Sequence, residues 1–279
     1  MADFAYDVLV EPEWLEQHLD DHSIRIAEVD EKPALYREAH IPGAIGFDWR
    51  VDLQDQVKRH FLSPDDFGRL FGSRGVSNHH LVILYGDRNN WFAAYTYWYL
   101  KYYGHEQVKL LNGPRERWID EGRPTTAELP NHALTTFIAR PGDAAIRATR
   151  DQVLGALDST DVLVDVRARQ EYSGELITMP GYESEGAQRS GHIPGAKSVP
   201  WAQAVNEDGT FKPVDELREL YGARGALSGA PIICYCRIGE RAAHTWFVLH
   251  ELLGEHDVRN YDGSWTEWGN LINVPIEKG

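Results

Sequence analysis

Only two of the 279 residues are cysteines, Cys234 and Cys236, and the second opens the segment Cys236-Arg237-Ile238-Gly239-Glu240-Arg241-Ala242. A short apolar run, Pro231 to Tyr235, leads into it, and the apolar-periodic segment Ala242 to Leu253 follows, closed by Gly254. That order places Cys236 at a strand-to-helix turn. There the backbone N–H groups of a tight loop converge and the helix N-terminus is positive, and both effects lower a thiol pKa. The amides of Arg237, Ile238, Gly239, Glu240, Arg241 and Ala242 are the expected donors. Arg237 and Arg241 add positive charge; Glu240 opposes them and is expected to turn to solvent or pair with an arginine. Cys236 therefore reads as a nucleophilic thiolate. Cys234, inside the apolar run, reads as a buried structural cysteine.

Other uses of two cysteines fit less well. Cys-x-Cys without a second ligand pair falls short of a structural zinc site, which takes four ligands. Residues two apart on an extended chain place their Cα atoms near the ~6.8 Å limit for a disulfide. Neither a metal nor a disulfide is expected. Asp165 and Arg167, at the end of a second apolar run, read as a pair supporting the cysteine loop or as a plain structural ion pair. Arg189, in the irregular stretch 174–190, is expected at the mouth of the site. His40, His192 and His244 read as holders of local geometry, because an amide-stabilised thiolate needs no imidazole. Trp98, Trp118, Trp246 and Trp268 read as core.

The elements that must position these residues occur twice. His40-Ile41-Pro42-Gly43-Ala44 recurs as His192-Ile193-Pro194-Gly195-Ala196, and Val82 to Gly86 parallels Ile232 to Cys236. Leu110-Leu111-Asn112-Gly113, ending in Trp118, parallels Asn260-Tyr261-Asp262-Gly263, ending in Trp268. No gap is needed between Tyr85 and Trp118, so the chain is an internal duplication. In the first half the reading gives strands Ile24 to Val29, Leu81 to Tyr85 and Val108 to Leu111, with a helix Trp91 to Tyr103 ending at Gly104. The second half gives strands Asp161 to Val166, Pro231 to Tyr235 and Val258 to Tyr261 around the Ala242 to Leu253 helix. Strands alternating with helices imply α/β domains, each a parallel sheet covered by helices on both faces. Ligands of such sheets bind outside the carboxyl ends of the strands. Pro124, Pro130, Pro141 and Gly142 interrupt any period, so the division expected is 1–124, a linker 125–146, and 147–279. Gly86 stands where the second half has Cys236, so the first half is expected to be a non-catalytic partner closing one wall of the pocket.

Composition narrows the function classes. A net charge of −15 repels nucleic acid and anionic lipid, and no basic run overrides it. The longest apolar stretch, Trp91 to Leu100, is about half of what a bilayer crossing needs, so no membrane span is expected. The first residues lack the basic and apolar regions of a signal peptide. With so few cysteines, a reducing cytoplasm is the expected compartment.

Together the motifs resemble the rhodanese family, specifically its tandem-domain thiosulfate sulfurtransferases, and closest in type the actinobacterial ones. The likeness rests on His192 to Ala196, on Asp262-Gly263-Ser264-Trp265-Thr266-Glu267-Trp268, and on Asp165-Val166-Arg167 with Glu171-Tyr172. It rests further on the loop Cys236 to Arg241 and on Asn89 to Ala94. The resemblance implies two rhodanese-like domains, the C-terminal one catalytic. It implies sulfur transfer without metal or organic cofactor: Cys236 takes the outer sulfur of thiosulfate as a persulfide and passes it to cyanide or a thiol. Arg237 and Arg241 are then expected to hold the sulfonate of the donor. Ile238 stands where many thiosulfate-using members have Lys, and Glu171 where some have Arg. Arg237 differs from the small residue that 3-mercaptopyruvate-specific relatives place after the cysteine. Four residues separate Cys236 from Arg241, one fewer than in phosphatases of similar loop design, so the loop is sized for a single sulfur atom. The alternatives are a persulfide carrier or regulatory module serving a protein partner, and a 3-mercaptopyruvate sulfurtransferase.

Overall fold

A computed structural model describes residues 3–279. The chain divides into two compact units. The N-terminal unit comprises Val8–Asp143 with Val205–Phe211; the C-terminal unit comprises the stretch through Asp7, Ala144–Ala204 and Lys212–Gly279. Residues 205–211, inside the range 147–279 read as one domain, thus belong to the other unit, where the Phe211 amide donates to Asn112 Oδ1 at 3.2 Å.

The N-terminal unit carries β1 (Leu9–Val10), α1 (Pro12–Gln17), β2 (Ile24–Val29), α2 (Leu35–Glu38), β3 (Ile45–Phe47), α3 (Pro64–Ser73), β4 (Leu81–Tyr85), α4 (Asp87–Tyr102), β5 (Val108–Leu111) and α5 (Arg115–Asp120). Its five strands are parallel in the order β1-β5-β4-β2-β3. A sheet covered on both faces needs continuous apolar strands rather than alternation, and β4, Leu-Val-Ile-Leu-Tyr, is buried from Val82 onward. Helix α4 starts four residues before the expected Trp91. Its first turn is irregular, with Arg88, Asn89 and Asn90 all at positive φ, a conformation that sequence periodicity does not register.

The stretch 125–146, read as a linker, packs along this unit for much of its length. Thr126 and His40 exchange backbone hydrogen bonds at 2.8 and 2.9 Å, and the Thr135 amide donates to the Gly72 carbonyl at 3.0 Å. Gly68 and Gly72 on α3 permit the approach: a Cβ there would lie 2.5 Å from the Phe137 carbonyl oxygen and 2.6 Å from that of Thr135.

The C-terminal unit carries α6 (Arg150–Ala156), β6 (Val162–Asp165), α7 (Arg169–Ser173), β7 (Lys197–Ser198), α8 (Val214–Gly222), β8 (Ile232–Tyr235), α9 (Glu240–Trp246), β9 (Val258–Tyr261) and α10 (Ser264–Trp268). Its strands are parallel in the order β7-β6-β8-β9. Helix α6 opens on a capping box in which Thr149 and Gln152 satisfy each other's backbone amides. Helix α9 continues as a π-helical segment, Phe247–Leu252, before Gly254 turns the chain at φ +76°. The expected Ala242 to Leu253 helix is therefore present, but not as one α-helix.

The duplication is visible in three dimensions. Tyr85 and Tyr235 each end a central strand, and their hydroxyls accept the amides of Ile41 and Ile193 at 2.9 and 3.1 Å. Trp118 and Trp268 donate their ring N–H to the carbonyls of Pro124 and Pro275. The ring nitrogens of His40 meet the Tyr36 and Glu128 carbonyls, and Nδ1 of His192 meets the Tyr172 carbonyl, the carbonyl being the acceptor; each ring stacks on the tyrosine. Both histidines thus tie the chain just before the turn to the segment carrying that tyrosine.

Candidate active site

The strand order reverses around β6, which lies between β7 and β8, and crevices of α/β sheets form at such a point. Asp165 ends β6 and Cys236 follows directly on β8. Between Cys236 and the first residue of α9 lie only Arg237, Ile238 and Gly239. Gly239 is obligatory there: its φ is +95°, and a Cβ would lie 2.7 Å from Asp262 Cα. The loop is tied to α10 by amide donations from Trp265 to the Cys236 carbonyl and from Thr266 to the Arg237 carbonyl, both at 3.0 Å. Ser264 Oγ accepts the Cys236 amide at 3.0 Å.

Two of the six expected amides face the sulfur. Gly239 donates to Cys236 Sγ at 3.1 Å, and the Ala242 amide helps to lower the thiol pKa. They do not prevail. Burial of Cys236 and then the charge of Glu240 push the thiol up to about 11, against the pull of Arg241 and the Ala242 amide. The sequence order favours a thiolate; here Cys236 Sγ lies 3.3 Å from Glu240 Oε2, and burial together with that carboxylate opposes ionisation. Cys234 is buried inside β8, where burial raises its thiol further. Both cysteines are free.

The arginines are less open than expected. Arg237 is 2% exposed; its Nη2 donates to Glu240 Oε1 at 2.9 Å and its Nε lies 3.0 Å from Glu185 Oε2. Its guanidinium also stacks on Tyr182, 3.7 Å from the ring centre. Arg241 is clamped by Glu171, with Nη1 to Oε2 at 2.8 Å and Nη2 to Oε1 at 3.1 Å. Burial opposes both charges, but each ion outweighs it for the other, holding Glu171 below and Arg241 above their ordinary values. Arg241 is therefore held in place by Glu171, and its positive charge acts on the Cys236 thiol. Arg189 needs a plainer correction: its guanidinium donates to the carbonyls of Trp268, Gly269, Leu271 and Val274, bracing the C-terminal segment. Its donors are engaged by those four carbonyls.

Asp165 and Arg167 form a buried pair, Oδ2 to Nη2 at 2.6 Å. Arg167 also donates to the Gly191 carbonyl and lies 4.3 Å from the ring centre of Trp265, the residue whose amide holds the Cys236 carbonyl. The pair thus reaches the loop through Trp265. His244 is buried, with its ring edge-on to Trp201.

Sequence reasoning named Glu240 but not its place against the sulfur. It missed Glu171, Glu185 and Tyr182 as partners of the arginines. Glu171 could have been suspected, since a buried arginine near an apolar strand demands an acid. Tyr182 and Glu185 lie in an aperiodic stretch and left no signal.

At the matching point of the N-terminal unit the chemistry is different. A Cβ on Gly86 would lie 2.1 Å from the Val29 carbonyl oxygen, so a cysteine does not fit there. Glu28, Asp30 and Asp87 are buried around it, with Arg115 Nε 3.3 Å from Glu28 Oε1. Burial, with Glu28 beside it, pushes Asp30 up to about 9, and burial with Asp30 nearby pushes Asp87 up to about 7.

The sequence profile of the rhodanese-like domain matches residues 11–121 and again 149–271. The chain belongs to the rhodanese family. As a tandem member it is 53% identical to a Haloferax volcanii protein named "Putative thiosulfate sulfurtransferase", over all of this chain and 99% of the other. It is 51% identical to a Mycobacterium tuberculosis protein of the same name, over 98% of each. It is also 52% identical to the sulfur carrier protein TtuD of Thermus thermophilus, over 98% of this chain and 97% of that one. Among solved structures, the anaerobic ergothioneine biosynthesis enzyme of Chlorobium limicola, bound to trimethyl histidine, superposes with a TM-score of 0.84 at 25% identity. That match covers 97% of this chain and 70% of the other. Among the described residues no helix is long and apolar enough to cross a membrane.

Proposed function

We propose that this rhodanese is a thiosulfate sulfurtransferase working through a persulfide on Cys236. The observation that carries the reading is the cysteine at the carboxyl end of β8, its sulfur held by the Gly239 amide at the start of α9. Cys236 attacks the outer sulfur of thiosulfate; the new S–S bond forms as the old one breaks, and sulfite leaves with the bonding pair. The Cys236 persulfide then yields that sulfur to cyanide or a thiol. No step calls for a metal or an organic cofactor.

Arg237 is the residue we assign to the sulfonate, because a guanidinium can hold two of its oxygens at once. Tyr182 and Glu185 sheathe it, so donor binding requires these two to give way. Arg241, held by Glu171, contributes a fixed charge that favours the thiolate. Two free cysteines suit the reducing cytoplasm to which we assign the protein.

A second reading is favoured by one relative: the protein named a sulfur carrier is 52% identical over nearly the whole length. In that reading the persulfide goes to a protein partner. Cys236→Ser, whose hydroxyl is barely ionised, is expected to lose all sulfur transfer while remaining folded. Cys234→Ser is expected to keep turnover and to lose about 1–3 kcal/mol of stability, from a hydroxyl in a buried strand. Exposure to thiosulfate followed by gel filtration is expected to add one sulfur, about 32 mass units, to Cys236. Activity in Cys236→Ser would refute the assignment of the nucleophile. A stable persulfide without turnover of thiosulfate and cyanide would favour the carrier.

A further inference from the structure

We propose that Glu240 is the proton acceptor for Cys236, and that taking this proton releases Arg237 to the incoming donor. The inference rests on the persulfide reading above. Its first support is geometric: one carboxylate oxygen of Glu240 accepts from Cys236 Sγ at 3.3 Å while the other accepts from Arg237 Nη2 at 2.9 Å. The carboxylate is fully buried, so it is not a solvated surface charge.

The second support comes from the duplication. The position matching Glu240 in the N-terminal unit is Asn90, beside Gly86 rather than a cysteine. Asn90 accepts the Gly86 amide at 2.8 Å and donates to the Leu111 and Gly113 carbonyls at 2.7 and 2.9 Å. A neutral amide therefore suffices to tie this turn together. A carboxylate appears only in the unit with the thiol. Placed there merely to hold structure, its charge would oppose the ionisation that the chemistry needs.

The step balances as follows. The Cys236 S–H proton moves to Glu240 Oε2, and the sulfur attacks the outer sulfur of thiosulfate. The S–S bond to cysteine forms, the bond to the sulfonate sulfur breaks, and sulfite departs with its electron pair. The proton on Glu240 then passes to sulfite or to the terminal persulfide sulfur. Once protonated, Glu240 no longer forms an ion pair with Arg237, and that guanidinium edge is open to the sulfonate at the moment the donor reacts. The other titratable or charged groups around this centre are Arg241 on α9 with Glu171 on α7, Glu185 in the turn 183–185, Cys234 on β8, and His244 one turn along α9. Arg241 and Glu171 neutralise each other, which leaves Glu240 as the anion nearest the sulfur.

Glu240→Gln in the full-length protein tests this, because Gln keeps an acceptor for Arg237 and removes only the base. Single-turnover persulfide formation with thiosulfate is followed by mass from pH 6 to 10, with iodoacetamide alkylation of Cys236 as a donor-free second reading. Peptide mapping separates Cys236 from Cys234. The native protein is expected to show a shallow pH dependence in both readings. Glu240→Gln is expected to be slower at pH 7 by about 10²–10⁴-fold, recovering roughly tenfold per pH unit as the thiol ionises unaided. Glu240→Asp is expected to retain the shallow dependence at a reduced rate. Equal or faster reaction of Glu240→Gln at pH 7, or an unchanged pH slope in either variant, would overturn the proposal. Should thiosulfate give no persulfide in the native protein, the functional reading fails while the alkylation profiles still decide the role of Glu240.

Discussion

Glu171→Gln separates the two things that the Arg241 pair does. The native contact is bidentate, at 2.8 and 3.1 Å, between side chains that are 1% and 2% exposed. Neutralising one partner leaves a guanidinium buried without a counter-charge, and breaking such pairs costs about 3–5 kcal/mol. Gln still offers one acceptor, so the lower end of that range is expected. At roughly 2–4 °C per kcal/mol for chains of this size, the melting temperature should fall by on the order of 10 °C. The same change strengthens the field of Arg241 at Cys236, so the alkylation midpoint of the thiol is expected to lie below that of the native protein. A purely packing role predicts the first effect without the second. The double variant Glu171→Leu with Arg241→Met removes both charges and should be more stable than Glu171→Gln, because no ion is then left unpaired. Urea unfolding followed by circular dichroism measures the stabilities. A loss below about 1 kcal/mol in Glu171→Gln would refute this account of the pair.

Two further predictions concern the frame. Asp30, pushed up to about 9, binds a proton in the folded protein that the unfolded chain releases near pH 4. Its contribution is therefore complete below that pH and is lost on the way to pH 9, at roughly 1.4 kcal/mol per pH unit. Asp30→Asn should flatten the fall of the melting temperature between pH 6 and 9; an unchanged slope would count against it. Gly239→Ala forces a Cβ against Asp262 at a positive φ and should cost about 1–3 kcal/mol while slowing persulfide formation, measured by thermal melts and by mass. Native stability in this variant would show that the loop tolerates the side chain.

Much of this architecture is written in local pattern. The strands Ile24–Val29, Leu81–Tyr85, Val108–Leu111 and Val258–Tyr261 lie where their apolar runs place them, because a sheet covered on both faces needs continuous apolar strands. The duplication was legible for the same reason: two copies of one fold must satisfy the same turns, and His-Ile-Pro-Gly-Ala marks both. Cys236 at the strand-to-helix turn followed from residue order alone.

What the order of residues could not supply was the partner of each charge. Arg237, Arg241 and Arg189 all read in sequence as cations for the site, yet one stacks on Tyr182, one is clamped by Glu171 and one braces the C-terminal segment. Their partners lie from 3 to 85 residues away, and nothing periodic links them. The state of the thiol was hidden for a related reason. A loop and a helix N-terminus predict a thiolate, but burial and one inward carboxylate reverse that balance, and both arise only when distant segments close over the loop. Local pattern thus determined the fold and the place of Cys236, while the surroundings of its sulfur and the partner of each arginine were decided by tertiary packing, since electrostatic energy depends on distance in space rather than along the chain.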